Sequence, residues 1–362
     1  MLRCFGCVRP DVTSSEPARI AQEAERQEEL GKEAVDYLSE KPKGVSVEFL
    51  VTHFDRELER LFPDKYDEAT TFVQLADWLW GPPDSDGRRG FERPVDLFGH
   101  VRMIGSSREG KAGVSLCTAI GQRFPSAVSC ATHFISWSWR YSIKKFIRAL
   151  QAYCQERNWN TSERFVWVCF ICNNQFEWLQ EGGKDGVKEF GTNLKKIQNV
   201  ICVVDDVAAK AVYFTRLWPV FEVFTAHCEQ LPIHLALMED GQQRLLKMNL
   251  LEAREAIVVD VMSAKASEKK DEDQIKALIA GTARKINRGV ENLFTGLILD
   301  LLQKEMEPNA ELQMTLAAKR ERKAELRMTL AATKMKLQAE VRKALAADDL
   351  DEIPPGVSVE FL

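Results

Sequence analysis

Residues 131–140, Ala131-Thr132-His133-Phe134-Ile135-Ser136-Trp137-Ser138-Trp139-Arg140, decide how the chain is read. A short apolar run ends on serine, tryptophan and arginine, and a helical pattern over residues 142–155 follows at once. That unit then recurs. Strand-like runs stand at 131–136 (ATHFIS), 165–172 (FVWVCFIC), 200–204 (VICVV), 233–238 (IHLALM) and 257–262 (IVVDVM). Helical patterns separate them at 142–155, in a less regular stretch before Ile197, at 214–228 and at 240–251. Near-continuous apolar strands are those of a parallel sheet buried on both faces. Their alternation with helices predicts a three-layer α/β domain, with sites at the C-terminal ends of the strands. A further helix over about 271–303, softened at Gly281 and Gly289, completes a unit spanning 131–303.

Outward from this unit the chain changes character. Residues 44–130 read as a helical preface and connector. Val47, Leu50, Val51, Phe54, Leu58 and Leu61 form one stripe at helical spacing. Trp78-Leu79-Trp80 then runs into the turn residues Gly81–Gly87, and 91–130 carries no clear pattern. Residues 1–43 are an acidic arm, net −6 over 11–40, with a helix start at Ser15-Glu16-Pro17. Beyond Pro308 a tail, 308–362, repeats itself: AELQMTLAAKRERK at 310–323 and AELRMTLAATKMK at 324–336. The 14-residue period returns equivalent side chains to one helix face, and 310–345 is locally +5. Lys319, Lys323 and Thr333 interrupt the seam, so a strong coiled coil is not expected. Gly356–Leu362 (GVSVEFL) duplicates Gly44–Leu50 residue for residue, as if a second copy of that unit had been started and cut off.

Composition removes whole classes. The 362 residues are 45% hydrophobic and carry a net charge of −5, which excludes a general nucleic-acid binder with its basic footprint. No apolar run reaches the roughly 18–20 residues of a membrane span. The richest stretch, 199–224, is broken by Asp205, Asp206, Lys210 and Arg216. The N-terminal MLRCFGCVRP lacks the apolar core of a secretory signal, and nine scattered cysteines form no disulfide framework. A cytoplasmic globular protein is expected.

Most chemical motifs are missing. There is no GxxxxGK[ST] phosphate loop, and the glycines at 182–186 have the wrong spacing. Cys4 and Cys7 form a lone CxxC with no second pair, so no metal site is expected; lipidation of those thiols is a minor option. Cys169 and Cys172 fall on opposite faces of a predicted strand, as core thiols do. His53, His100, His133, His227 and His234 show no ligand spacing, and no cofactor is expected.

One pair of segments is more specific. The first strand carries Phe134-Ile135-Ser136, and beyond the third strand comes Thr215-Arg216-Leu217-Trp218-Pro219-Val220-Phe221-Glu222. Together they resemble the Toll/interleukin-1 receptor (TIR) domain over roughly 131–262. In that family the first strand ends in F-[IV]-S, and an S-x-W-C-x-x-E-L-like segment lies on the helix after the third strand. Ser136, Trp218 and Glu222 match the serine, tryptophan and glutamate, and the Thr132-to-Trp139 opening is similar to that of uncharacterised protist TIR-like proteins. The resemblance implies a flavodoxin-like fold and, for enzymatic members, cleavage of the nicotinamide–ribose bond of NAD as substrate. Glu222 would then be the catalytic carboxylate. Ser136, Trp137, Arg140, Arg216 and Trp218 would line the NAD site, with Trp139 a further stacking candidate. An oxocarbenium-like transition state needs one placed carboxylate and an aromatic wall, and arginines meet phosphates.

The alternative is structural. Trp218, Phe221 and Phe224 share helical spacing and suit a core, and Arg216 and Glu222 suit ordinary ion pairs. Pro219 replaces the family's usual cysteine, and Cys172-Asn173-Asn174-Gln175 lacks the Arg-Asp-x-x-Pro-Gly loop used for assembly. On that reading the chain is a non-catalytic signalling or scaffold module, self-associating through the α/β domain or the helical tail. The two readings part at Glu222, which the enzyme reading places beside Ser136 in a cleft at the C-terminal edge of the sheet.

Overall fold

A computed structural model describes residues 41–85, 88–101, 113–178, 186–306, 328–333 and 335–336. Cys4 and Cys7, the acidic arm up to residue 40, most of the repetitive tail and the duplicated Gly356–Leu362 lie outside those residues. Six strands form one sheet: β1 (Lys43–Ser46), β2 (Val128–Cys130), β3 (His133–Ser136), β4 (Phe165–Trp167), β5 (Val200–Val204) and β6 (Ile233–Leu237). Their order is β2-β1-β4-β3-β5-β6. β3 pairs in parallel with β4 and β5, and β5 with β6. β1 is antiparallel to both β2 and β4.

Strand side chains alternate, so each face of the sheet has its own core. Ile135, Val166, Ile201 and Val203 point to one face, where they meet α1 (Asp55–Leu61), α2 (Phe72–Trp80), α3 (Leu116–Arg123) and α4 (Ile143–Glu156). Phe134, Trp167, Val200, Cys202 and Val204 point to the other, against α5 (Gly186–Ile197), α6 (Leu217–Cys228), α7 (Lys269–Ile279) and α8 (Ala283–Met306). The result is an α/β domain with helices on both faces of a mostly parallel sheet. Local chemistry sets the helix starts. Ser142 accepts from Lys145 N at 3.3 Å to open α4, and Thr71 and Gln74 form a reciprocal capping box at α2. Among the described residues no helix is long and apolar enough to cross a membrane.

The structure departs from the sequence reading in several places. Residues 43–46, read as the approach to a helix, are strand β1, so the preface and the α/β unit share one sheet. Gly44 makes this possible, because a Cβ there would meet Val166 O at 2.8 Å. Residues 257–262 are not a fifth strand. Ile257, Val259 and Val261 are buried alternately, as in a strand, but Val259 N donates to Glu291 and Val261 N to Asn287, both at 3.0 Å. The segment thus runs along α8 into a turn at 261–263, and helix side chains take the place of a neighbouring strand. β4 ends at Trp167, and Cys169–Cys172 is a single helical turn in which Val168 O accepts from Ile171 N and Cys172 N. The helix expected at 271–303 breaks between Ile279 and Ala283 but runs unbroken through Gly289. The pattern at 240–251 is two short helices, Glu239–Leu245 and Leu250–Glu255. The connector at 91–130 supplies α3 and β2.

Candidate functional site

β3 and β5 are neighbours whose onward connections run to opposite sides, to β4 and to β6. At such a point the loops leaving two parallel strands diverge and open a crevice at their C-terminal ends. β3 leads there into Trp137-Ser138-Trp139-Arg140, and β5 into Asp205-Asp206. Register sets Ser136 opposite Cys202, both on the face covered by α6. The loops are tied together. Asp205 accepts from Val212 N at 2.9 Å, Tyr213 N at 3.3 Å and Tyr141 OH at 3.1 Å. The short Glu239–Leu245 helix closes against them because its Gly241 has no side chain; a Cβ there would lie 1.8 Å from Asp205 O.

α6 brings Glu222 to this place. Arg216 is the residue before its first turn and Pro219 lies within that turn, where its missing N–H costs nothing. Glu222 is 8% exposed and its Oε2 has no hydrogen-bond partner. Burial lifts the carboxyl to about 8, with the Ser136 hydroxyl pulling modestly the other way. Ser136 Oγ lies 2.7 Å from Tyr213 OH, and Tyr213 also donates to Pro219 O at 3.5 Å. The thiols of Cys169 and Cys202 sense the Glu222 charge; burial first, and that charge with it, push each up to about 12. Burial thus favours the protonated form of a carboxyl that has the Ser136 and Tyr213 hydroxyls and the Cys169 and Cys202 thiols for neighbours.

The expected site residues divide into three groups. Ser136 and Glu222 come together at the C-terminal edge of the sheet. Arg140 and Arg216 also act on each other. Burial, and next the like charge of Arg140, lower Arg216 to about 10, while Glu272 works in the opposite direction. Arg216 donates to Ser267 Oγ at 2.9 Å, whereas the Arg140 side chain is exposed. The tryptophans behave differently. Trp137 is 4% exposed between Phe72 (ring centroids 4.3 Å) and Phe146 (5.0 Å), in the opposite core. Its indole N–H faces Cys169 without closing a hydrogen bond, while that of Trp139 closes one at 3.5 Å. Trp218 donates to Asp271 at 3.0 Å and lies edge-on to Phe190 and Phe221, holding α6 to α7. Glu222 is enclosed by its neighbours and does not open into the cleft the enzyme reading expected.

Sequence reasoning missed Tyr213, Tyr141, Asp205 and Cys169. An acidic pair directly after an apolar strand was the available signal for Asp205. Tyr213 is joined to Ser136 across 77 positions and left no local trace. Among the described residues no group of three or more His, Cys, Asp or Glu side chains is placed to hold a metal ion. No known family, curated protein or solved structure matches the chain.

Proposed function

We propose that this chain is a TIR-like module that hydrolyses the nicotinamide–ribose bond of NAD, with Glu222 as its carboxylate. The observation that carries the reading is the placement of Glu222 beside Ser136 where β3 and β5 diverge. Taken as the first to fourth strands, β3, β4, β5 and β6 lie in the order 2-1-3-4, which is how a flavodoxin-like sheet begins. As nicotinamide leaves, positive charge grows on the ribose and favours ionisation of Glu222, whose carboxylate in a low-dielectric site stabilises that charge more than it would in water. Water then captures the sugar, giving nicotinamide, ADP-ribose and a proton. Arg140 and Arg216 are the cations available to the diphosphate. The module would work in the cytoplasm and self-associate through the α/β domain or the tail. Deleting residues 308–362 then lowers the sedimentation mass, and an unchanged mass removes the tail from that role.

The second reading, a non-catalytic signalling or scaffold module, is favoured by the enclosure of Glu222 at 8% exposure. Incubating the purified chain, free and clustered on beads, with NAD separates the two. Nicotinamide release that is lost in Glu222→Ala supports the enzyme; no release in either form supports the scaffold.

A further inference from the structure

We infer that Gly356–Leu362 is a second β1, which enters the slot between β2 and β4 of another copy of this chain when that copy's own Gly44–Leu50 withdraws. The inference stands apart from the NAD reading and gives the self-association named beside it a definite contact.

The slot accepts few sequences. A Cβ at Gly44 would lie 2.8 Å from Val166 O, a backbone atom of β4 that has no room to step aside. Val45, Ser46, Val47, Phe49 and Leu50 are buried, and of the seven residues Glu48 alone is exposed. The Ser46 hydroxyl accepts from Phe49 N at 3.2 Å and so starts the helical turn that follows β1. Val47 N donates to Arg164 O at 2.9 Å, and Pro42 O accepts from Ala131 N at 2.8 Å. Gly356-Val357-Ser358-Val359-Glu360-Phe361-Leu362 repeats the glycine, the apolar residues, the capping serine and the exposed glutamate in order. The likeness reaches further upstream: Asp36, Leu38, Glu40 and Pro42 recur as Asp348, Leu350, Glu352 and Pro354. Between Pro42 and Leu50 only Lys43 changes, to Pro355, and a proline suits the first residue of a strand.

Exchange is therefore close to neutral in contacts, because the apolar surface that Gly44–Leu50 gives up is the surface that Gly356–Leu362 buries. Connectivity decides between them. The resident strand is joined to its own sheet at an effective concentration on the order of millimolar, so dilute protein keeps it and crowded copies exchange. β1 is also the first strand of the sheet, so it can leave without drawing the rest of the chain through the fold. The donor is a neighbour for reasons of length. A helix over the repeats at 310–336 would be about 40 Å long and would carry 356–362 away from the sheet that α8 packs on.

A disulfide trap in the full chain tests this. Lys43 stands opposite Cys130 in the β1–β2 ladder, so Pro355→Cys brings a thiol to that place whenever the second strand fills the slot. Isotopically heavy and light chains carrying Pro355→Cys are mixed at high concentration, oxidised with glutathione disulfide, digested and mapped by mass spectrometry. A heavy–light link between position 355 and Cys130 is expected, falling at least about tenfold when Gly356→Val is added. No such link, a link without heavy–light pairs, or a link that Gly356→Val leaves unchanged overturns the inference. Thermal melts of two further full-length variants read the same exchange. Gly44→Val unseats the resident strand, so its midpoint should rise with protein concentration as neighbours fill the slot. Gly44→Val/Gly356→Val should show no such rise and should melt roughly 5 °C or more below it at the highest concentration. Equal melts of the two variants at every concentration overturn the inference. None of these results bears on nicotinamide release, so the exchange and the NAD reading fail separately.

Discussion

Replacing Glu222 by glutamine should flatten the pH dependence of stability in a calculable way. Burial lifts this carboxyl from 4.5 to about 8, so the folded chain holds a proton that the unfolded chain gives up earlier. The sign follows from linkage: stability from the group is complete below about pH 4.5 and is lost as the pH rises through about 8. At about 1.36 kcal/mol per unit, the full loss is about 5 kcal/mol, of which about 3.5 kcal/mol falls between about pH 5 and about pH 8. Glutamine keeps the shape and never ionises, so the variant serves as the baseline. Urea unfolding of both proteins, followed by tryptophan fluorescence at several pH values across that range, measures the difference directly. The variant should gain on the wild type by about 3.5 kcal/mol from the acid to the alkaline end. A difference that stays flat with pH would show that Glu222 titrates like a solvated carboxylate and would contradict its enclosure.

Other substitutions test the framework around the carboxyl. Tyr213→Phe removes the 2.7 Å partner of Ser136. It should cost about 1–2 kcal/mol in urea unfolding, and no loss would mean that the pair is idle. Gly241→Ala sets a methyl where Asp205 O now lies, 1.8 Å from the Cβ position. It should lower stability by about 2–3 kcal/mol in a thermal melt, whereas an unchanged melt would contradict the close approach. Glu272 is held down to about 2, chiefly by its hydrogen bond to Lys276 and also by Lys265. Glu272→Gln should be less stable than the wild type at neutral pH, with the deficit closing as the pH falls from about 4.5 towards about 2. A deficit unchanged over that window argues against the pairing.

What the sequence disclosed follows the range over which each feature is encoded. β3, β5, β6 and the start of β4 were legible because a strand buried on both faces must be apolar at nearly every position. α4 was legible because its cap, Ser142, and its stripe lie within one segment. β1 was hidden because Val45, Val47, Leu50 and Phe54 serve a strand and a helix in turn, and the helical stripe overrode the short strand. Residues 257–262 misled for the opposite reason: the alternation is real, but Glu291 and Asn287 on α8 take the bonds a neighbouring strand would take. In the candidate site, the resemblance pointed to Glu222 and Ser136, which the fold brings together, but not to their setting. The Ser136–Tyr213 bond, the thiols near the carboxyl and the Asp205 knot join residues far apart in sequence, and only the fold brings them together.

The central claim is that the enclosed carboxyl at the divergence of β3 and β5 performs chemistry on NAD. Its most direct test is nicotinamide production by wild-type and Glu222→Gln protein, prepared alike and matched by circular dichroism, at saturating NAD. The account predicts release by the wild type and a fall of at least about a hundredfold in the variant. Equal release by both proteins, or none from the wild type even when clustered, would contradict it.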